Sequence, residues 1–354
     1  MIATDPTETV ALRPASLGIS KLLAVLSILA GAAVLGILVG PVRLGPGAIL
    51  KEVAGRLPFV NIDSGLSDRE AAILWQLRVP RVVLGGLVGG LLAVAGAAYQ
   101  GVFRNPLADP YLLGAASGAG LGATLAIAYG PDTSSWPIPL LPIAAFIGAL
   151  AGVLISYSLG RAGGARTATT LILAGVAVAS FLTAIQTFVY QRADDTLREV
   201  YSWILGGFGT ASWSEVILIL PYAAASAVVI ILHRRLLDVM SLGDEEADSL
   251  GIRSRRLRFV LVAAASLGTA AAVSVSGLIA FVGIIVPHTI RLIAGPSYRV
   301  VIPLSIIGGA AFLIVADLIA RTLLTPAEIP IGVVTAFFGA PFFAIVLRTS
   351  GRVA

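Results

Sequence analysis

The chain has 354 residues, of which 57% are hydrophobic and 12% are charged, and its mean hydropathy is +0.96. This composition excludes an ordinary soluble domain and predicts a polytopic membrane protein. The absence of cysteine excludes disulfides and thiolate metal sites. The net charge of +5 does not indicate a nucleic-acid partner, and we expect none, because in a membrane protein the side on which charges lie matters more than their sum.

Ten apolar segments, each near the ~20 residues that a helix needs to cross a bilayer, predict an all-α protein with ten transmembrane helices. They occupy residues 20–42, 81–103, 111–130, 138–160, 168–190, 213–232, 258–275, 277–294, 300–320 and 331–348. We expect residues 1–19 to form a cytosolic tail and residues 20–350 to form a single transmembrane domain. The first apolar run is too long for a cleaved signal peptide, so we expect the tail to be retained.

The distribution of basic residues predicts which ends of these helices are cytosolic. With both termini inside, the inner segments hold 15 basic residues and the outer segments hold nine, which together are all 24. Cytosolic segments carry the excess of Lys and Arg in membrane proteins. The four Trp residues all fall near the predicted outer boundary, where aromatic rings are enriched. We therefore predict cytosolic N- and C-termini.

The fifth predicted span carries small polar side chains within its apolar run. Ser180, Thr183 and Thr187 are spaced by three and four residues, so they share one face of a helix, and Gln186 lies beside them. Two interpretations stay open for this face. The hydroxyl groups either bond neighbouring helices or line a pathway for a solute.

Residues 241–252, between spans six and seven, concentrate charge in an otherwise apolar chain. Their sequence, SLGDEEADSLGI, places four acids within five positions, and arginines flank it on both sides. Acids suit the positive N-terminus of a helix, and Gly251 suits the left-handed position after its end. The pattern predicts a short surface helix over Asp244–Leu250, in which Ala247 and Leu250 share a face. This helix is either a solvated connector or a docking element with an apolar knob and a charged rim.

The chain lacks the motifs of a protein that powers or catalyses a reaction. Neither Lys21 nor Lys51 completes the G-x-x-x-x-G-K-[ST] loop that cradles nucleotide phosphates. A gradient-driven carrier usually has ionisable groups deep in its bundle. The best candidate here, Asp317, is explained by a helix-internal pair with Arg321 one turn later. We identify no paired groups for an intramembrane enzyme and no metal ligand set. These observations favour a transporter powered by a separate protein, with a gradient-driven carrier as the alternative.

Six motifs follow one another along the chain: WQLRVPR (75–81), RNPLADPYLLG (104–114), WILGGF (203–208), LGDEEADSLGI (242–252), FVGIIVPHTIRLIAG (281–295) and DLIARTLLTPAEIPIGVVTAFFGAPFF (317–343). In this order they resemble the FecCD family of ABC importer permeases. The resemblance covers residues 20 to 350 and implies a type II ABC importer permease, a homodimer of ten-helix subunits in the cytoplasmic membrane of a bacterium. It also implies two cytosolic ATPases, which use ATP and Mg²⁺, and one extracytoplasmic binding protein. The permease itself is expected to bind no cofactor and to catalyse no reaction.

The resemblance implies roles for residues at both ends of the bundle. Coupling to the ATPases is implied for Leu242, Gly243, Asp244, Glu245, Glu246, Ala247, Leu250 and Gly251. Docking of the binding protein is implied for Arg78, Arg81 and Arg321, because a guanidinium group can grip a carboxylate in two places. The alternatives are arginines that snorkel to the lipid interface and, for Arg321, a local pair with Glu328.

The resemblance also implies a route for the solute. A cytosolic gate is implied for Asn105, Leu107, Thr167, Ala168 and Thr169, where Ala168 replaces the hydroxyl side chain of the family pattern. The translocation pathway is implied for Ser180, Thr183, Gln186 and Thr187. The expected solute is an iron complex, either a ferric siderophore or haem. Vitamin B12 (cobalamin) is the alternative, because permeases for all these ligands share the motifs.

Overall fold

The structure, a computed structural model, describes residues 17–56, 63–131, 133, 136, 138–162 and 168–350, and every regular element among them is a helix. The helices are α1 Ile19–Leu38, α2 Pro46–Gly55, α3 Asp68–Ala72, α4 Val79–Phe103, α5 Ala115–Tyr129, α6 Leu140–Ala162, α7 Ala168–Tyr190, α8 Leu197–Ile204, α9 Trp213–Met240, α10 Asp244–Ser249, α11 Ser254–Ser276, α12 Val282–Ala294, α13 Tyr298–Thr322 and α14 Ile331–Ser350. A π-helical turn, Ile73–Arg78, joins α3 to α4.

Ten of these helices fall on the ten apolar segments that the sequence predicts. In the described part of the chain, seven candidate spans are long and apolar enough to cross a membrane, and one of them runs without a break from α3 through α4. Three further apolar helical segments of the described chain are shorter than 18 residues: Ala115–Tyr129 of α5, Val282–Ala294 of α12 and Ile331–Val346 within α14. The number of helices that cross the bilayer and the side on which the termini lie therefore stay predictions.

Two of the predicted spans begin later than expected. The predictions over 111–130 and 277–294 are corrected to helices that start at Ala115 and Val282. Residues 104–114 and 277–281 instead form turns that meet inside the bundle, where the Tyr111 hydroxyl donates to the Ile279 carbonyl oxygen at 2.9 Å. Non-helical backbone is tolerated at this depth only where protein surrounds it, and these two segments satisfy each other.

The helix α4 lies at the centre of the bundle, and its middle is buried on all sides. Gly89 and Gly96 explain how neighbours approach it. A Cβ on Gly89 would lie 2.2 Å from the Gly309 carbonyl oxygen of α13, and one on Gly96 would lie 2.1 Å from the Gly283 carbonyl oxygen of α12. Both contacts therefore exclude any side chain, and the helices pack backbone to backbone, as small residues allow within membranes.

The connecting segments gather at two ends of the bundle. At the end that carries α10, Arg104 pairs with Asp244 at 3.5 Å, and Asp238 accepts from the Tyr298 backbone N–H at 2.6 Å. We call this the α10 end. At the other end, the α8 end, the backbone N–H of Ile331 donates to the Gly206 carbonyl oxygen at 3.0 Å. These contacts place the end of α4, the end of α9 and the start of α13 at the α10 end, and the start of α14 at the α8 end.

Candidate functional site

The predicted surface helix of residues 241–252 is present as α10, Asp244–Ser249, and the backbone around it explains its position. Gly243 has φ +144°, and the Glu246 carboxylate lies against it, so that a Cβ there would be 1.8 Å from Glu246 Oε2. Gly251 has φ +81°, in the left-handed region predicted for it. The Asp248 carboxylate accepts from the Ser254 backbone N–H at 3.0 Å, which closes the turn into α11.

Asp244 fastens α10 to the rest of the bundle. Its two carboxylate oxygens accept from Arg258 Nη2 at 2.8 and 2.6 Å, and Arg104 Nη2 lies 3.5 Å from Oδ1. Arg258 belongs to α11 and is buried, whereas Arg104 follows the last residue of α4. Asp244 therefore joins α10 to α11 and, through a longer contact, to the residue that follows α4.

The outward side of α10 presents apolar and acidic side chains. Leu242 and Leu250 are each 65% exposed, and Glu245 and Glu246 are also exposed. Ala247 is fully buried, so the expectation that Ala247 and Leu250 form one apolar knob is wrong. Ala247 packs inward because it lies on the face that α10 turns to its own chain. The two exposed apolar side chains are those of Leu242, which precedes the helix, and Leu250, which follows its last residue.

The predicted gate residues Asn105 and Leu107 lie in the turn that follows α4. The Asn105 Oδ1 atom accepts from the Leu107 backbone N–H at 2.9 Å, which is the side-chain bond of an Asx turn. Of the other gate residues, Thr167 lies outside the described residues, Ala168 is the first residue of α7, and Thr169 is exposed. The gating role stays a prediction.

Asp109, in the same connecting segment, is a residue that the sequence reasoning did not single out. Its carboxylate accepts from the Tyr111 backbone N–H at 2.8 Å, and it makes no ion pair with another described residue. The Asp109 side chain is partly buried, in the segment that meets residues 277–281 inside the bundle. The available signal was its position among apolar residues, well after the nearest preceding basic residue, Arg104.

At the α8 end, three arginines and two acids form a cluster that we call the α8-end charge cluster: Arg78, Arg81, Asp317, Arg321 and Glu328. Arg81 donates to both oxygens of Asp317 at 2.7 to 3.1 Å, and to Glu328 Oε1 and Oε2 at 2.9 Å each. Arg321 Nε lies 3.4 Å from Asp317 Oδ2, so the predicted helix-internal pair is confirmed. Glu328 pairs with Arg81 and not with Arg321.

Arg78 and Arg321 also donate hydrogen bonds to backbone carbonyl groups of α1 and of the segment after it. Arg78 Nη1 donates to the carbonyl oxygens of Ile37 and Leu38 at 3.0 and 3.2 Å, and Arg321 Nη2 donates to that of Gly36. Only 4% of Arg78 and 2% of Arg321 are exposed. Neither residue has the exposed position expected of a docking arginine, because each closes the end of α1 against α4 or α13. The docking role stays a prediction.

The polar side chains of α7 divide between two faces. Ser180, Thr183 and Thr187 are exposed along one stripe, and the hydroxyls of Ser180 and Thr187 donate back to the carbonyl groups four residues earlier, each at 2.9 Å. Gln186 is not part of that stripe. It is buried against α5, where its Nε2 donates to Thr124 Oγ1 at 3.0 Å.

A cavity of about 630 Å³ opens at the α8 end, between α8, the start of α9 and the end of α11. Its lining mixes charged and aromatic side chains, among them Arg198, Glu199, Trp203 and Glu215. The cavity has room for part of a large solute. No sequence pattern predicts it, because its walls come from segments far apart in the chain.

The chain is similar in sequence to a family of transport proteins and to permeases of known systems. The FecCD transport family model matches residues 26–349. The hemin transport system permease protein HmuU of Yersinia pestis is 41% identical, over 78% of this chain and 83% of its own length. The cobalamin import system permease protein BtuC of Halobacterium salinarum is 40% identical, over 84% of this chain and 81% of its own length.

A solved structure shows the same architecture. It is described as an inward-facing conformation of an ABC transporter and assigned to the metal-chelate type. The match has a TM-score of 0.79 at 26% sequence identity and covers 93% of this chain and 99% of the other. The order of helices described above is therefore that of an ABC transporter membrane subunit.

Proposed function

The chain belongs to the FecCD transport family of ABC transporter permeases, and on that premise we propose that it imports an iron complex across the cytoplasmic membrane of a bacterium. In this proposal two copies of the chain form the channel, two ABC ATPases bind them from the cytosol, and an extracytoplasmic binding protein delivers the solute. ATP and Mg²⁺ bind to the ATPases. The permease holds no cofactor of its own and makes or breaks no covalent bond.

The observation that carries this proposal is the construction of α10. Its inner side is fixed through Asp244 to Arg258 and Arg104. The side chains of Leu242, Leu250, Glu245 and Glu246 are exposed, and neither glutamate makes an ion pair within the described chain. Two exposed apolar side chains with acids around them fit an interface with a soluble partner. We propose that this surface, the coupling surface, lies in a groove of each ATPase.

The path of the solute in this proposal follows α7. The stripe of Ser180, Thr183 and Thr187 offers weak, neutral polar groups whose hydroxyls are largely satisfied within the helix, which suits a bulky solute that must not adhere. The solute enters from the cavity beside α8 and leaves past Asn105 and Leu107. A binding-protein acid would reach Arg81 by taking the place of Glu328, whose side chain is 39% exposed.

Cobalamin is the second candidate solute, because a relative at 40% identity is a cobalamin import permease. The two candidates are separated by reconstituting the chain with its cognate ATPase and binding protein in liposomes. We expect a ferric siderophore or hemin, and not cobalamin, to stimulate ATP hydrolysis and to accumulate inside. Stimulation of ATP hydrolysis by cobalamin alone would show that the chain imports cobalamin and not an iron complex.

The coupling surface is tested by replacing its two exposed leucines. We expect Leu242→Asn with Leu250→Asn to reduce co-purification of the ATPase by about tenfold, since exposed apolar anchors carry much of the energy of an interface. Deletion of residues 244–250 should abolish co-purification. The matched control is Leu323→Asn with Leu324→Asn at the α8 end, where the two leucines are 66% and 60% exposed. An intact complex after both changes at α10 would refute the coupling role.

A further inference from the structure

A groove lined by basic and aromatic side chains opens where the end of α6 meets the start of α11, at the α10 end. Its lining residues are Tyr157, Arg161, Arg253, Arg255, Arg256 and Phe259. We call it the arginine groove. It has a volume of about 430 Å³. It adjoins a smaller cavity, whose lining shares Tyr157, Arg161 and Arg255 with the groove and adds Arg258. Neither the coupling surface nor the polar stripe of α7 forms part of its wall.

The positive charge of the arginine groove is not compensated by the described chain. None of its four arginines forms an ion pair with a described carboxylate, although such pairs occur elsewhere at the same end. Two acids lie nearby: Asp244 binds Arg258 and Arg104, and Asp248 accepts from the Ser254 backbone N–H but lies within 4 Å of none of the four arginines' charged atoms.

The position of Arg255 and Arg256 adds to this positive potential. Both lie in the first turn of α11, whose N-terminus carries partial positive charge from the helix dipole. The Asp248 carboxylate offsets part of this charge at Ser254, and the four arginines of the groove leave a net positive charge. The buried Arg258 contributes a further unused donor, since its Nε has no hydrogen-bond partner in the described chain. The groove therefore favours an anion.

An apolar surface continues from the arginine groove along both helices. Leu154 lies two turns before Arg161 on the same face of α6 and is largely exposed, and Phe259 is half exposed one turn after Arg255 on α11. The Tyr157 and Phe259 rings stand 5.6 Å apart between the arginines and this surface, and the Arg161 guanidinium lies 6.0 Å from the Tyr157 ring. A ligand that fills the groove thus meets positive charge at one end and hydrocarbon at the other.

We propose that the arginine groove binds an anionic phospholipid from the membrane leaflet on the α10 side. The phosphate accepts hydrogen bonds from Arg161 and Arg255, which line both the groove and the adjoining cavity. Guanidinium groups suit this because their planar fork matches two phosphate oxygens. The acyl chains lie along Leu154 and Phe259. Basic pockets on the cytoplasmic side of membrane helices are suited to such headgroups, and the inference does not depend on which solute the chain transports.

The test is native mass spectrometry of the full chain purified in detergent, with dioleoyl phosphatidylglycerol and dioleoyl phosphatidylcholine as probes. We expect wild-type protein to retain phosphatidylglycerol in preference to phosphatidylcholine. Arg161→Gln with Arg255→Gln should lower that retention by about tenfold, since each basic residue near a membrane surface contributes a several-fold attraction to anionic lipid. The matched control, Arg235→Gln with Arg348→Gln, removes two exposed arginines outside the groove and should leave retention unchanged.

Three further outcomes would overturn the proposal. Equal retention of phosphatidylglycerol by the groove variant and the wild type would show that these arginines do not hold the lipid. Displacement of the lipid by millimolar inorganic phosphate would identify a site for small anions. Loss of the lipid when the ATPase assembles on the chain would show that the groove belongs to a protein interface.

Discussion

The two ends of the bundle both concentrate charge, but they use it differently. In the α8-end charge cluster, Asp317 and Arg321 are buried and Arg81 is partly buried, and each guanidinium group bonds to a carboxylate or carbonyl of the same chain. At the α10 end, Asp244 alone among the α10 acids has an ion pair, while Glu245 and Glu246 point outward without one in the described chain.

This difference separates charges that hold the fold from charges that are available to a partner. Burying a charge is costly, so a buried arginine must be paired, and removing its partner leaves the cost uncompensated. An exposed, unpaired acid contributes little to stability, and its replacement leaves the fold intact. The comparison predicts that substitutions at the α8 end change stability, whereas those on the outer side of α10 change association.

The largest effect is expected from Asp317→Asn. This change removes the carboxylate that Arg81 and Arg321 share in the interior, and we expect the free energy of unfolding to fall by about 3 kcal/mol or more. Denaturant unfolding in detergent micelles, followed by tryptophan fluorescence, measures it. A variant as stable as the wild type would contradict the view that the α8-end charge cluster is structural.

A smaller loss is expected from Asp244→Asn, because the pair with the buried Arg258 lies at the protein surface. We expect about 1.5–2 kcal/mol, the lower end of the range for a hydrogen bond to a charged group, because the Asp244 side chain is 37% exposed. Amide hydrogen exchange over residues 244–252 should become faster. The control is Glu245→Gln in the same helix, which should change stability by less than about 0.5 kcal/mol. Equal losses of stability in the two variants would contradict the view that Asp244 holds α10 to the bundle and Glu245 does not.

Asp109 is an acid that lacks a cation partner among the described residues. Its carboxylate accepts from the Tyr111 backbone N–H at 2.8 Å, and its side chain is partly buried inside the bundle. Removing this charge should therefore not destabilise the chain, in contrast to removing that of Asp317.

We expect Asp109→Asn to be as stable as the wild type or more stable by up to about 1 kcal/mol, because the change removes a partly buried charge that no described cation compensates. The amide oxygen of the substituted side chain remains an acceptor for the Tyr111 backbone N–H, so the turn should be preserved. Unfolding curves of both proteins in detergent micelles give the measurement. A loss of more than about 1 kcal/mol would show that the Asp109 carboxylate itself stabilises the bundle.

The smallest effect is expected from Glu328→Gln. Its partner Arg81 keeps both bonds to Asp317, and the Glu328 side chain is 39% exposed, so the pair contributes less than about 1 kcal/mol. Binding-protein docking to the reconstituted complex should become tighter or stay unchanged, since a competitor for Arg81 is weakened. A loss of stability as large as that of Asp317→Asn would contradict the view that the buried Asp317 stabilises the fold more than the partly exposed Glu328.

Local pattern was sufficient to predict α10, its glycine stop at Gly251 and the Asp317–Arg321 pair, because each depends on residues within one or two helical turns. The bond between Arg81 and Asp317 joins residues 236 positions apart, and no periodicity in the sequence reports it. The inward position of Ala247 and the separation of Gln186 from the α7 stripe have the same origin, since both are set by a neighbouring element. The late starts of α5 and α12 were missed because apolar turns buried in a bundle have the composition of a span.

We propose that this chain has no motor of its own and is driven through the coupling surface on α10. This proposal is tested by reconstituting the purified chain with its binding protein in liposomes, with and without the cognate ATPase, and measuring accumulation of the solute against its gradient. We expect accumulation only when the ATPase and ATP are present, and we expect Leu242→Asn with Leu250→Asn to abolish it. Uphill accumulation by the chain in the absence of any ATPase would contradict it.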